Sequence, residues 1–288
     1  MSASVPFRLA LLVSLVVSMT LIATRSASAE ELPLAELGFG IGAINMPYYP
    51  GSSEQRNVVF PVPLPIYRGH IFKSDDQGTR ADLIQNSRFD LDLSADFNFA
   101  VDSDDVDIRE GMDDIGSVLQ IGPSLATRLF ETDHSDWTVV LPLRANIEIS
   151  EDGIDERGFT FAPTLYYTQF LELGGERWRA RASLGASFAS SSFQELYYGV
   201  PEEFATAERR RYSADAGFSG LRAQFSIRSL NRKRLWVGFV RYDDVSAATF
   251  HDSPLVETTG GISIGFIYAR MFWRSKATVE RQAPLLAR

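Results

Sequence analysis

Three groupings in this chain carry side chains suited to chemistry. The string His251-Asp252-Ser253 has the residue types of a hydrolytic triad. Adjacent residues in an extended chain point to opposite sides, and triad members meet through geometry rather than adjacency. A turn beside Pro254-Leu255 accounts for the string equally well. The chain has no G-x-S-x-G or H-E-x-x-H and only His70, His134 and His251, so no enzyme activity is expected. The second grouping is acidic. Asp102, Asp104, Asp105 and Asp107 lie within six residues, with Glu110, Asp113 and Asp114 beyond. Hard cations take several carboxylate oxygens, which makes the four aspartates a candidate Ca²⁺ or Mg²⁺ site at an outer surface. The spacing lacks the glycine of an EF-hand loop, and a loop kept solvated by its charge is the plainer reading. No cofactor is expected. The third grouping is a pair of ladders with period two, Asp90/Asp92/Asp96 and Arg177/Arg179/Arg181. Such ladders either set a field across a pore or pair and fill it.

A period of two belongs to strands with unlike faces. Phe89, Leu91, Leu93, Ala95, Phe97 and Phe99 alternate with the Asp90 ladder, and Trp178, Ala180, Ala182, Leu184, Ala186 and Phe188 alternate with the Arg177 ladder. Further alternating runs start at Leu119, Trp137 and Ile262. These runs exceed the roughly five or six residues of a soluble strand and match the roughly 9–11 of a tilted membrane strand. Trp137, Trp178, Tyr67, Tyr166, Tyr167, Tyr242 and Tyr268 fall near run ends, where aromatic girdles sit. The aromatic content is 12% at a mean hydropathy of only −0.07, so apolar residues are many but evenly diluted.

Compartment agrees with this reading. Arg8, the apolar run Leu9 to Ala23 and the small residues Ala27-Ser28-Ala29 make a secretory signal peptide, residues 1–29, cleaved after Ala29. The run is short of the roughly 20 residues of a spanning helix. Cleavage removes two arginines and takes the formal net charge from −9 to −11, which argues against a nucleic-acid partner. The exported chain has no cysteine and hence no disulfide.

The expected fold is an all-β antiparallel transmembrane barrel over residues 30–273, with a polar tail over 274–288, set in outer-membrane lipid and lipopolysaccharide. Long connections at Pro47–Arg56, Asp102–Gly116, Ser150–Gly158, Ser190–Arg210 and Asp243–Thr258 alternate with short turns at Ser74–Gly78, Glu131–Asp136, Glu172–Glu176 and Ser229–Arg234. The alternation predicts about ten strands, with twelve as the alternative. Ten requires one continuous strand from Thr79 to Val101, and another from Arg211 to Arg228 with a bulge at Ser219-Gly220.

One run resists this scheme. Between Asn57 and Gly69, Val58, Phe60, Val62, Leu64 and Ile66 occupy one parity, and Pro61, Pro63 and Pro65 the other. Proline donates no ladder bond, and residues two apart address the same neighbouring strand. This strand therefore has one sound seam and one weak seam. The prolines are expected to face the lumen and the apolar row the lipid.

The punctuating residues resemble a known family. Pro47-Tyr48-Tyr49-Pro50-Gly51-Ser52, Phe60-Pro61-x-Pro63, Ile66-Tyr67-Arg68-Gly69, Arg109-Glu110-Gly111-Met112, Ile121-Gly122-Pro123-Ser124-Leu125 and Asp252-Ser253-Pro254-Leu255-Val256 follow the order and spacing of the MipA/OmpV family, the MltA-interacting outer-membrane proteins. The resemblance implies a Gram-negative outer-membrane barrel. It also implies a scaffold that binds a murein lytic transglycosylase and a penicillin-binding protein. A narrow porin, motivated by the charged ladders, and a surface adhesin, using Phe193, Tyr197, Tyr198 and Phe204, are the competing functions. Barrels near ten strands lie toward the filled end of the size range, which favours packing over conduction.

Overall fold

The computed structural model of the chain describes residues 31–68, 72–75, 78–85, 89–231 and 233–280. The expected signal peptide, Gly69, His70 and the end of the expected polar tail lie outside the described residues. The first four strands are β1 (Glu31–Pro33), β2 (Ala35–Pro47), β3 (Gln55–Arg68) and β4 (Phe72–Asp75). Then come β5 (Gly78–Gln85), β6 (Phe89–Asn98), β7 (Ser117–Glu131), β8 (Ser135–Ser150) and β9 (Gly153–Phe161). The chain continues with β10 (Thr164–Leu173), β11 (Glu176–Ala189), helix α1 (Ser191–Tyr198), β12 (Gly217–Ser229), β13 (Arg234–Asp244), β14 (Gly260–Arg274) and β15 (Thr278–Glu280).

Strands β2 to β14 form one antiparallel sheet closed on itself. The first and last wall strands pair from Ile264↔Asn45 to Arg274↔Glu36. Strands β9 and β10 are two halves of one wall position, because both pair with β8 and with β11. They part at Ala162-Pro163, where proline interrupts the ladder. Ten wall positions are thus long, and β4 and β5 add two short ones.

Those two short strands correct the sequence reading. Thr79 to Val101 is not one strand: Ala81 pairs back onto Leu93 and Gln85 onto Asp90. The segment is a hairpin, so parity alone did not show continuity, since a strand and its antiparallel return can share phase. In the sequence, Asn86 and Ser87 between the two halves are residue types common in turns. Ser150–Gly158 is likewise no long loop. Strand β8 turns tightly into β9 with Ser150 paired to Gly153, and Gly153 takes φ +140°. The bulge at Ser219 is present. Ser187 pairs with Gly220 and Phe188 with Phe218, leaving Ser219 extra. Strand β12, however, begins at Gly217, and residues from Arg211 belong to the preceding loop.

Side chains split cleanly across the wall. Leu37, Phe39, Ile41, Val59, Phe97, Leu143, Leu184, Ile262, Ile264 and Phe266 are exposed on the outer face. Trp137 meets Tyr167 at 4.9 Å and Trp236 meets Tyr268 at 4.3 Å, near the end with the short turns. Tyr166 lies instead on the inner face under Arg181, and so leaves the expected girdle.

The proline face is also reversed. Pro61, Pro63 and Pro65 pair directly with Ile41, Phe39 and Leu37, which are exposed outside. Directly opposed residues share a face. The prolines therefore face lipid, and Val58, Phe60, Val62, Leu64 and Ile66 face the lumen. The cause is on β2: Gly38, Gly40 and Gly42 make its inner face empty. A Cβ on Gly42 would lie 2.5 Å from the Phe60 ring, and one on Gly38 2.5 Å from Met271 Sδ. Bulky neighbours fill the space that the glycines leave.

Below the barrel, β1 and β15 form a two-stranded sheet, Leu32 facing Val279. Leu34 N–H donates to the Ala277 carbonyl at 2.8 Å, and Arg274 pairs with Glu36 at 2.8 Å. Both described ends of the chain are thus tied to the side of the short turns, the periplasmic side of an outer-membrane barrel.

Candidate functional site

The long connections do not wave freely. They fold onto one another as a cap with its own apolar core. Tyr49, Val101, Val106, Ile115, Tyr197, Tyr198, Val245 and Phe250 are buried together. Tyr198, on α1, stacks on Phe250 at 3.5 Å with planes 9° apart. Its hydroxyl donates to the Pro50 carbonyl at 2.7 Å, and the Tyr49 hydroxyl donates to the Leu255 carbonyl at 2.9 Å. Buried Arg109 donates to Ser103 Oγ at 3.2 Å, to the Asp113 carbonyl at 3.1 Å and to the Tyr197 carbonyl at 3.3 Å. Arg209 ties the Ile108, Glu110 and Phe204 carbonyls at 2.8, 3.0 and 3.0 Å. The segments around Tyr49, Arg109 and Ser253 are far apart in sequence and meet here. Gly51 and Gly111, with φ of +103° and +78°, turn two of them.

Burial outweighs the nearby guanidinium charges in the cap's ionisation. It raises the phenols of Tyr49 and Tyr198 well above their ordinary value, and that of Tyr197 to about 12. Desolvation also lowers the Arg109 guanidinium, offset in part by Tyr49 and Asp114.

The sequence candidates at this end have structural partners. His251 Nε2 lies 3.3 Å from Asp252 Oδ1, but the Ser253 hydroxyl turns into the core and donates to the Tyr198 carbonyl at 2.7 Å. The triad-like string does not assemble. Asp102 accepts from the Asp104 N–H at 3.0 Å and caps a short 3₁₀ turn. Asp104 accepts from Gly111 N–H at 3.4 Å, and Asp105 from the Tyr48 hydroxyl at 3.3 Å. The Asp107 N–H donates to Glu54. Among the described residues no three His, Cys, Asp or Glu side chains converge as metal ligands.

The ladder charges lie inside the barrel. Asp90, Asp92 and Asp96 are on the inner face of β6, and Arg179 and Arg181 on that of β11. Arg177 sits exposed near the short-turn rim. Arg181 donates to Thr168 Oγ1 at 3.2 Å and lies 5.2 Å over the Tyr166 ring. Asp96 meets Arg144 at 3.9 Å and interacts with Arg222 and Arg241. Arg222 and Arg241 share Asp243 at 2.7 and 2.9 Å, and Arg157 pairs with Glu148 at 2.6 Å. Sequence reasoning missed Arg222, Arg241, Asp243, Glu148 and Arg157. Their inward parity was the available signal, since Arg241 and Asp243 are two residues apart.

Among the proline-run residues, Tyr67 pairs with Ala35 on one side and Ser74 on the other, and Arg68 with Lys73. These pairs mark where β3 regains a second neighbour.

Several solved structures resemble the chain at low sequence identity. The COG4313 outer membrane channel from Pseudomonas putida F1 is 11% identical over 87% of this chain and 100% of that one, with a TM-score of 0.47. The Pseudomonas putida toluene transporter TodX is 8% identical over 85% and 90%, at 0.32. OprG from Pseudomonas aeruginosa is 11% identical over 85% and 99%, at 0.24. No curated protein matches the chain. A family model described as MltA-interacting protein MipA matches residues 39–272, from the first long wall strand to the last. With a closed antiparallel wall, an apolar outer belt and that match across most of its length, the chain is an outer-membrane β-barrel protein belonging to the MipA family.

Proposed function

We propose that the protein is a non-enzymatic scaffold, exported by a signal peptide removed after Ala29, that holds murein enzymes at its periplasmic rim. Its partners on this reading are a lytic transglycosylase and a synthase of the penicillin-binding type. The description of the family as MltA-interacting supports the partner class. The observation that carries the reading is the closed outer end. Tyr49, Tyr197, Tyr198 and Phe250 occupy a core there, so the aromatics that an adhesin would offer as contact anchors are already used. The lumen below holds the Arg144–Asp96 and Arg222–Asp243–Arg241 pairs, which disfavours a wide porin. Surface for a stable partner is then left at the short turns and the β1–β15 sheet.

A photo-crosslinking side chain at Asp133 or Gly174, in two of the short turns, tests this in intact cells. A lytic transglycosylase is expected in the adducts, and none from the same group placed at Glu203 in the cap. Repeated capture without any murein enzyme would remove the reading.

A further inference from the structure

The wall has a seam that scaffolding does not use. Strand β3 is fully paired with β2, in thirteen steps from Ala35↔Tyr67 to Pro47↔Gln55. Proline gives no N–H, so that ladder must run through the residues between, Val62 with Gly40 and Leu64 with Gly38. The imide positions of Pro61, Pro63 and Pro65 therefore point to the opposite edge. Among the described residues, β3 meets β4 on that edge only at Tyr67 and Arg68, and across the gap β6 meets β5 only from Leu93 downward. From Asn57 to Ile66 on β3 and from Ser94 to Asn98 on β6, no ladder joins the two strands among the described residues.

Side chains close the upper end of this gap. The Arg56 guanidinium donates to the carbonyls of Phe99, at 3.4 Å, and Ala100. The Phe60 ring lies 5.9 Å from Phe99, which in turn lies 5.4 Å from Phe97 on the outer face. Between this clasp and the β4–β5 hairpin the unpaired stretch runs on the order of 15–20 Å at about 3.3 Å per residue, half or more of a bilayer's hydrocarbon core.

Strand β3 is apolar on both faces beside that gap. Val59 and the prolines face lipid; Phe60, Val62, Leu64 and Ile66 face a lumen otherwise lined by Ser94, Gln120, Arg144, Arg222 and Asp243. Apolar side chains therefore flank this unpaired edge on both its lipid and its lumenal side. At its inner side a cation from β8 reaches across to β6. Arg144 Nε donates to Ser94 Oγ at 3.1 Å, while its carboxylate partner Asp96 stands off at 3.9 Å with a half-exposed side chain. The cap core stands at the outer end; the seam lies in the wall.

We propose that the β3–β6 seam is a lateral binding port for a single-chain anionic amphiphile. Its tail lies along Phe60, Val62, Leu64 and Ile66, and its carboxylate pairs with Arg144. The three prolines keep the port from zipping shut, because an edge without donors is a poor template for another strand.

The test uses the full barrel in detergent with a Phe60→Trp reporter and nitroxide-labelled stearate. Saturable quenching of the added tryptophan is expected. The methyl ester should bind about tenfold more weakly, as loss of one charge-assisted contact implies. Arg144→Gln should weaken stearate to the level of the ester and leave the ester unchanged. Leu64→Asp should weaken both; if it does not assemble, judged by heat-modifiable gel mobility, Leu64→Thr takes its place. Quenching that never saturates, or is the same in every variant, overturns the port. Equal binding of acid and ester overturns Arg144 as its anion site. Neither result bears on the capture of murein enzymes, which the crosslinking experiment decides.

Discussion

Tyr197 shows how a residue reports the state of its surroundings. Its hydroxyl is buried in the cap and accepts from Asn98 Nδ2 at 3.3 Å. Burial holds the neutral form and raises the phenol from its ordinary value near 10 to about 12. An opened cap would release its proton near pH 10. Between these values the open form binds fewer protons than the closed one, so cap stability falls as pH rises. The contribution is fully present below about pH 10 and fades through about pH 12, a change on the order of 2 kcal/mol. Near-ultraviolet circular dichroism, to which the stacked Tyr198 and Phe250 contribute, should collapse in that window while the far-ultraviolet strand signal persists. A cap signal steady beyond pH 12, or lost well below pH 10, would contradict this account.

At the scale of elements, the glycines of β2 do what the proline run of β3 requires. A Cβ on Gly40 would lie 2.1 Å from the Tyr268 carbonyl oxygen and 2.4 Å from Ala269 Cβ, both held in the β14 ladder. Neither can retreat without parting the first and last wall strands. Gly40→Val is therefore expected to abolish the heat-modifiable folded band. Gly38→Ala meets first the flexible end of Met271, and should keep the band with a modest loss of stability. Equal behaviour of the two would show that close approach at Gly40 is not what closes the barrel. The turn between β10 and β11 has a simpler logic: Gly174 and Gly175, with φ of +62° and +75°, supply the backbone of a type I′ hairpin.

At the scale of the whole molecule, cap, ion pairs and wall make a barrel shut at its outer end. In planar bilayers the intact protein should give no steady conductance. Replacing residues 191–214 with a short Gly-Ser link removes α1 and much of the cap core. That variant should show small openings, kept narrow by the Arg222–Asp243–Arg241 group. Large steady steps from the intact chain would refute the closed end.

Most of the strands, the face of each charged ladder, the bulge at Ser219 and every connection but Ser150–Gly158 were legible in sequence, because period-two alternation is a local property. So was the existence of one sound and one weak seam on β3, since a missing N–H is covalent. What the sequence could not decide was which way β3 faced. Both of its parities are apolar, so no hydrophobic contrast set the choice, and the empty inner face of β2 made it. The return of β5 onto β6 also escaped, because an antiparallel partner repeats the phase of a continuous strand. The loop aromatics were visible as residues but not as a core. Tyr49 and Leu255, 206 positions apart, meet only once the closed wall has brought every long connection to one end, and that closure is a property of the tertiary structure alone.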